Sequence, residues 1–196
     1  MTAHSLSAAQ MARRLLHPGV LDESLRSGLF IGFKCDGDSS KRFRSNLVAE
    51  AGRLGALVVS LDLNDADASS DCALLRSLAE LRVDQGTALT LGRPMCGPIP
   101  VASPLAAICT TLIAQSGRDL VLILGGIGHL CDDAGHHLLR ALKAARDNVN
   151  TRSGAQHHLF VVGWDTDLMK LRTLVQDEGQ AFFGATLELV SEPLAS

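Results

Sequence analysis

Tyrosine is missing from this chain, and Trp164 is its only tryptophan. Aromatic residues make up 4% of 196 positions, too few for a base-stacking RNA surface. A basic excess is missing too. The formal net charge is −3, which gives no pull toward nucleic acid or an anionic membrane. The five cysteines, Cys35, Cys72, Cys96, Cys109 and Cys131, include no Cys-x-x-Cys pair. A disulfide framework or a zinc ribbon is therefore not expected. No apolar run approaches the ~20 residues a membrane helix needs. The opening Met-Thr-Ala-His-Ser carries no basic segment leading into an apolar one. These absences together predict a reduced, cytoplasmic protein without a membrane span.

What is present is apolar periodicity. Residues 120–124 are a continuous apolar run, with no polar residue alternating, as in a central parallel strand covered on both faces. Gly125, Gly126 and Gly128 follow it. Further strands are expected at 29–33, 56–63, 159–163 and 186–190. Helices are expected at 6–16, 20–25, 41–53, 71–82, 103–115, 132–149 and 167–175. The helix at 41–53 places Phe43, Leu47, Val48, Ala51 and Leu54 on one face. The helix at 132–149 has the stripe Leu138, Leu139, Leu142, Ala145 and Val149, with Lys143, Arg146 and Asp147 outside it. Phe182-Phe183-Gly184 reads as a packed corner. Residues 84–103 hold Pro94, Pro98 and Pro100 and read as a long loop. Strands alternating with helices predict an α/β fold, a three-layer αβα sandwich around a five-stranded parallel sheet.

Residues 32–39 read Gly-Phe-Lys-Cys-Asp-Gly-Asp-Ser. Against the phosphate-loop pattern G-x-x-x-x-G-K-[ST], Gly32, Gly37 and Ser39 fit, and Asp38 occupies the lysine position. The candidate cradle is Gly32, Gly37, Asp38, Ser39, Ser40 and Lys41. A carboxylate in place of that lysine repels a triphosphate. At an effective dielectric of ~20 and ~4 Å the contact costs about 4 kcal/mol. The plainer reading is a strand–helix connection whose Asp38, Ser39 and Ser40 are good helix caps.

With this loop, the glycine-terminated strand and three later stretches, the chain resembles bacterial AAA-type ATPases of the P-loop class. It is most similar to their small single-chain ATP-binding members. The stretches are Leu-Leu-Arg-Ala-Leu-Lys-Ala-Ala-Arg-Asp-Asn from Leu138, the strand from Leu159, and Gln-Ala-Phe-Phe-Gly-Ala from Gln180. The similarity runs from about residue 15 to about residue 190.

The resemblance implies a sheet of order 5-1-4-3-2. It also implies an N-terminal helical segment over 1–28 and an AAA-like domain over 29–196 without the C-terminal lid. Position by position, the Walker A lysine falls on Asp38, or on Ser39 if the helix is aligned without gaps. The Walker B Asp-Glu pair falls on Gly125 and Gly126. The polar sensor after the fourth strand falls on Trp164 and Asp165, and a basic residue near the corner falls on Glu178. Each substitution removes a group that phosphoryl transfer uses. The expectation is a pseudo-ATPase with no catalytic residue and no cofactor, acting through a protein partner or self-association. The alternative is weak binding of ATP, another nucleotide or a smaller anion at residues 32–40. An active NTPase with relocated acids, for example Asp132, ranks third.

His129, Cys131, His136, His137, His157 and His158 do not follow a zinc spacing and are expected to be solvated rather than metal ligands. The basic residues Arg13, Arg14, Arg26, Lys41, Arg42 and Arg44 read as solvated faces, not a nucleic-acid patch.

Overall fold

The computed structural model describes residues 7–16, 28–34, 37–62, 102–131, 136–151 and 156–190. The expected helices at 20–25 and 71–82, and the loop up to residue 101, lie outside the described residues.

Helix α1, Ala8–Leu16, opens with a reciprocal cap. The Ser7 hydroxyl accepts from the Gln10 amide at 3.3 Å, and Gln10 Oε1 accepts from the Ser7 amide at 2.8 Å. Strand β1, Leu29–Phe33, is buried at every residue. Helix α2 spans Gly37–Arg53 and strand β2 Leu57–Asp62. Helix α3, Ala102–Ser116, leads to β3, Leu120–Gly125, and a short 3-10 helix, Ile127–Cys131. Helix α4, Ala-rich over His136–Asn150, precedes β4, Leu159–Asp165. Helix α5, Leu168–Gln176, and β5, Thr186–Val190, complete the set.

The strands form one parallel sheet of order β2-β3-β4-β1-β5, the expected 5-1-4-3-2 read from the other edge. Register pairs Gly125 with Asp62 on one side and with Trp164 on the other. Helices α1 and α2 cover one face. There Met11, Leu15, Phe43 and Leu47 pack on Leu29, Ile31, Val121, Ile123 and Val162. Helices α3, α4 and α5 cover the opposite face, on Phe30, Leu120, Leu122, Leu124 and Val161. The continuous apolar strands follow from this double coverage: each successive side chain meets a helix layer. Helix α1 lies in the same layer as α2, and its Arg14 pairs with Glu188 of β5.

Several local expectations change. The helix expected from residue 41 begins at Gly37, so Asp38, Ser39 and Ser40 form its first turn rather than a loop. An acid there is favoured by the amide dipoles of the helix start. Leu54 leaves the apolar face: α2 ends at Arg53, and Leu54 is 41% exposed. Gly55 takes φ +92° and Ala56 donates to the Ala51 carbonyl, a glycine-terminated helix end. Helix α3 begins one residue ahead of Ser103.

Arg146 is not outside the α4 stripe. It is buried, its guanidinium lies 5.5 Å from the Phe182 ring centre, and it bonds Asp147. The corner after α5 splits. Phe182 is buried against Phe30, and Phe183 is 51% exposed.

Candidate functional site

Of the sequence-predicted residues, Gly32, Gly125, Trp164 and Asp165 lie toward the C-terminal ends of β1, β3 and β4. Gly32 lies within β1. A Cβ there would stand 2.4 Å from Leu168 Cδ2 and 3.0 Å from Leu189 Cδ2. Packing against α5 and β5 is thus reason enough for glycine at this position. Residues 35 and 36 lie outside the described set. Beyond them α2 starts, with Asp38 and Lys41 exposed, Ser39 half-buried and Ser40 buried.

Trp164 is the decisive side chain at this edge. It is 8% exposed, on the α2 side of β4. Its indole lies across Gly125: a Cβ on that glycine would stand 2.5 Å from Cζ2, 2.6 Å from Cε2 and 2.8 Å from Nε1. Those are distances no real Cβ tolerates from a rigid ring. Phe33 meets the indole edge-on at 5.8 Å, and Phe43 meets Phe33 at 5.5 Å. The Arg44 guanidinium covers the indole at 5.1 Å from the ring centre. Trp164 Nε1 is fully buried and, among the described residues, has no hydrogen-bond partner. A buried donor without an acceptor costs roughly 1–3 kcal/mol, so the ring is held by its apolar contacts and by Arg44.

Asp165 is engaged in holding backbone. Its Oδ2 accepts from the Gly128 amide at 2.8 Å and its Oδ1 from the Asp167 amide at 2.9 Å. A Cβ on Gly128 would stand 2.7 Å from that Oδ2, so glycine is required for the approach. Asp167 in turn caps α5 by accepting from Met169 and Lys170. Gly126, at φ +67°, turns the chain out of β3.

Gly125, Trp164 and Asp165 therefore converge, as their alignment with neighbouring strand ends implies. Phe33, Phe43 and Arg44 join them: Phe43 was expected on the apolar face of its helix, whereas Arg44, expected on a solvated face, is half-buried over the indole. The available signal was Phe43-Arg44 in the second turn of the helix that follows the glycine loop. Glu178 stands apart, exposed in the turn after α5.

The histidines are spread over both ends of the sheet. His136 Nε2 lies 3.0 Å from Gln180 Oε1. His157 and His158 stand half-buried beside Asp119 at the start of β3, with Nδ1 atoms 3.7 and 3.9 Å from its Oδ1. They are thus less solvated than expected. Among the described residues, no group of three or more His, Cys, Asp or Glu is placed to hold a metal. Cys109 is buried in α3, and burial pushes its thiol up from 9.0 to about 12. It is a core residue, not a nucleophile.

No known family profile and no curated protein matches the chain. Solved structures do. The ORC2 protein of Aeropyrum pernix in ADPNP–ADP complexes superposes with a TM-score of 0.59 at 16% identity, over 95% of this chain and 46% of that one. Its ADP form gives 0.58 at 15% identity, over 95% and 47%. A Walker-type ATPase of Pyrococcus abyssi gives 0.50 at 14% identity, over 87% and 53%. The fold is P-loop ATPase-like. The chain spans about half the length of each of these proteins. In this sheet β4 lies between β1 and β3, and the indole of Trp164 stands at its end beside Gly125 of β3. Among the described residues, no helix is long and apolar enough to cross a membrane.

Proposed function

We propose that this chain is a pseudo-ATPase: a P-loop-like, AAA-related scaffold that turns over no nucleotide and acts by binding a protein partner or a second copy of itself. The observation that carries the reading is the indole of Trp164 across Gly125. A side chain at residue 125 is the one that would reach a magnesium ion in an active relative. Here glycine leaves that space and an aromatic ring takes it. Asp38 at the lysine position and the engagement of Asp165 with backbone amides agree with it. Loss of the metal-organising acid, the water-activating acid and the lysine removes most of the barrier reduction that phosphoryl transfer needs. A contact role is supported by Met169, 69% exposed on α5, and Phe183 on the corner after it. The cytoplasm is the proposed compartment.

Isothermal titration with ATP and magnesium, paired with a phosphate-release assay, tests this reading. We expect no turnover above background. Micromolar binding together with turnover overturns it.

A second reading is weak, non-hydrolytic binding of a nucleotide or a smaller anion. Its support is the start of α2 at Gly37, the first helix after β1, and the nucleotide complexes of the Aeropyrum pernix ORC2 protein. A thermal-shift screen with nucleotides decides: an unchanged melting temperature with every one ends it.

A further inference from the structure

Three features bear on whether the indole is permanent. Trp164 Nε1 is buried and has no acceptor among the described residues, although the ring that carries it is more than nine-tenths covered. Buried indole N–H groups ordinarily find a partner, so the closed position leaves an unmet demand that a different rotamer or an incoming acceptor meets. The floor beneath the ring is Gly125, which offers no side chain to interlock with it. The cover above it is the half-buried Arg44. The backbone, by contrast, is anchored. Asp165 ties the end of β4 to Gly128 and Asp167, and Trp164 is in register with Gly125. Movement at this point is therefore confined to the Trp164 and Arg44 side chains.

We infer that Trp164 is a displaceable plug, closed over Gly125 in the free protein and swung outward when a small anion with hydrogen-bond acceptors enters beside the first turns of α2. The inference rests on the second reading, non-hydrolytic binding of an anion, and adds regulation of the same edge. Arg44 lies over the ring, and Asp38 and Lys41 are exposed in the first turns of α2. A plug that must open lowers apparent affinity by the fraction of time it stands open. With a minor state of roughly 0.1–10%, its removal raises affinity about tenfold or more.

The test uses the full chain and inorganic pyrophosphate as the probe, with ATP in a parallel arm. Trp164 is the sole tryptophan, so emission and acrylamide quenching report on it alone. The expected result is blue-shifted, poorly quenched emission in the free protein, moving red and becoming quenchable as pyrophosphate is added. Trp164→Ala should bind pyrophosphate about tenfold tighter than the parent. Trp164→Phe keeps a ring but carries no N–H to satisfy, so it stays closed and binds more weakly than the parent. If Trp164→Ala does not fold, the comparison of Trp164→Phe with the parent decides. Unchanged emission at millimolar pyrophosphate and ATP, with no gain in Trp164→Ala and no loss in Trp164→Phe, overturns the plug and leaves the pseudo-ATPase reading intact. Phosphate release from ATP by Trp164→Ala overturns the pseudo-ATPase reading and leaves the plug standing.

Discussion

Gly125 of β3 and Trp164 of β4 are register partners whose side-chain spaces are mutually exclusive: a Cβ on the glycine would stand 2.5 Å from Cζ2 of the indole. Gly125→Ala should therefore destabilise the parent by about 1–3 kcal/mol through overpacking. In a Trp164→Ala background the same change should cost almost nothing, because the obstructing ring is gone. Urea denaturation of the four proteins measures the coupling, expected at about 0.5–3 kcal/mol. Strict additivity would show that the ring does not occupy that space.

Asp165→Asn removes one of two acceptors and sets an amide NH₂ against a backbone N–H. The expected loss is about 1–3 kcal/mol. Hydrogen exchange should quicken at the Gly128 and Asp167 amides before the core of β3 changes. Uniform quickening would point to global rather than local loss.

Arg146 stacks on buried Phe182 and bonds Asp147, whose side chain is 48% exposed. Because that partner is open to water, the ion pair itself contributes little. Arg146→Met, which keeps the stem, should cost about 1 kcal/mol, and Phe182→Ala about 3–5 kcal/mol. Thermal or urea unfolding checks the order. An Arg146→Met cost equal to that of Phe182→Ala would mean the charge, not the packing, holds the corner.

Cys109 has a folded-state value of about 12 against an ordinary 9.0, with burial as the main cause. A raised value means that the neutral thiol is favoured in the fold. Its contribution is complete below pH 9 and is lost as pH rises toward 12. Cys109→Ala should flatten the fall of unfolding free energy across that window. An identical alkaline slope in parent and variant would remove this account.

Met169→Ser and Phe183→Ser should leave stability within about 0.5 kcal/mol, since both side chains face solvent. If the chain works through protein contact, the pair should weaken self-association measured by sedimentation. An unchanged sedimentation profile in a protein that does self-associate would place the contact elsewhere.

Much of the frame was legible before any coordinates. The strands β1, β3 and β4 announce themselves as unbroken apolar runs, because a sheet covered on both faces needs apolar side chains at every position. The helix stop at Gly55 and the caps at Ser7 and Asp167 are set by local hydrogen bonding, but the sequence reading placed Ser7 and Asp167 inside their helices, not at caps. Arg146 was misplaced for a definite reason. It stands four residues after Leu142 and seven after Leu139, on the stripe by spacing, but its charge argued for solvent. A long stem and an aromatic neighbour from a distant corner reversed that. The helix start at Gly37 was misjudged because polar residues suit both a loop and a first turn.

The order of residues alone determined which segments are strands and helices, and that glycine stands at 125 and 126 and an acid at 38. Those properties are local, set by side-chain type and spacing. Only the folded sheet decided what stands over Gly125. Parallel pairing set Trp164 beside Gly125, thirty-nine positions apart in the chain, and α2 brought Phe43 and Arg44 onto the ring. Register is a property of two strands at once, and neither segment carries it by itself.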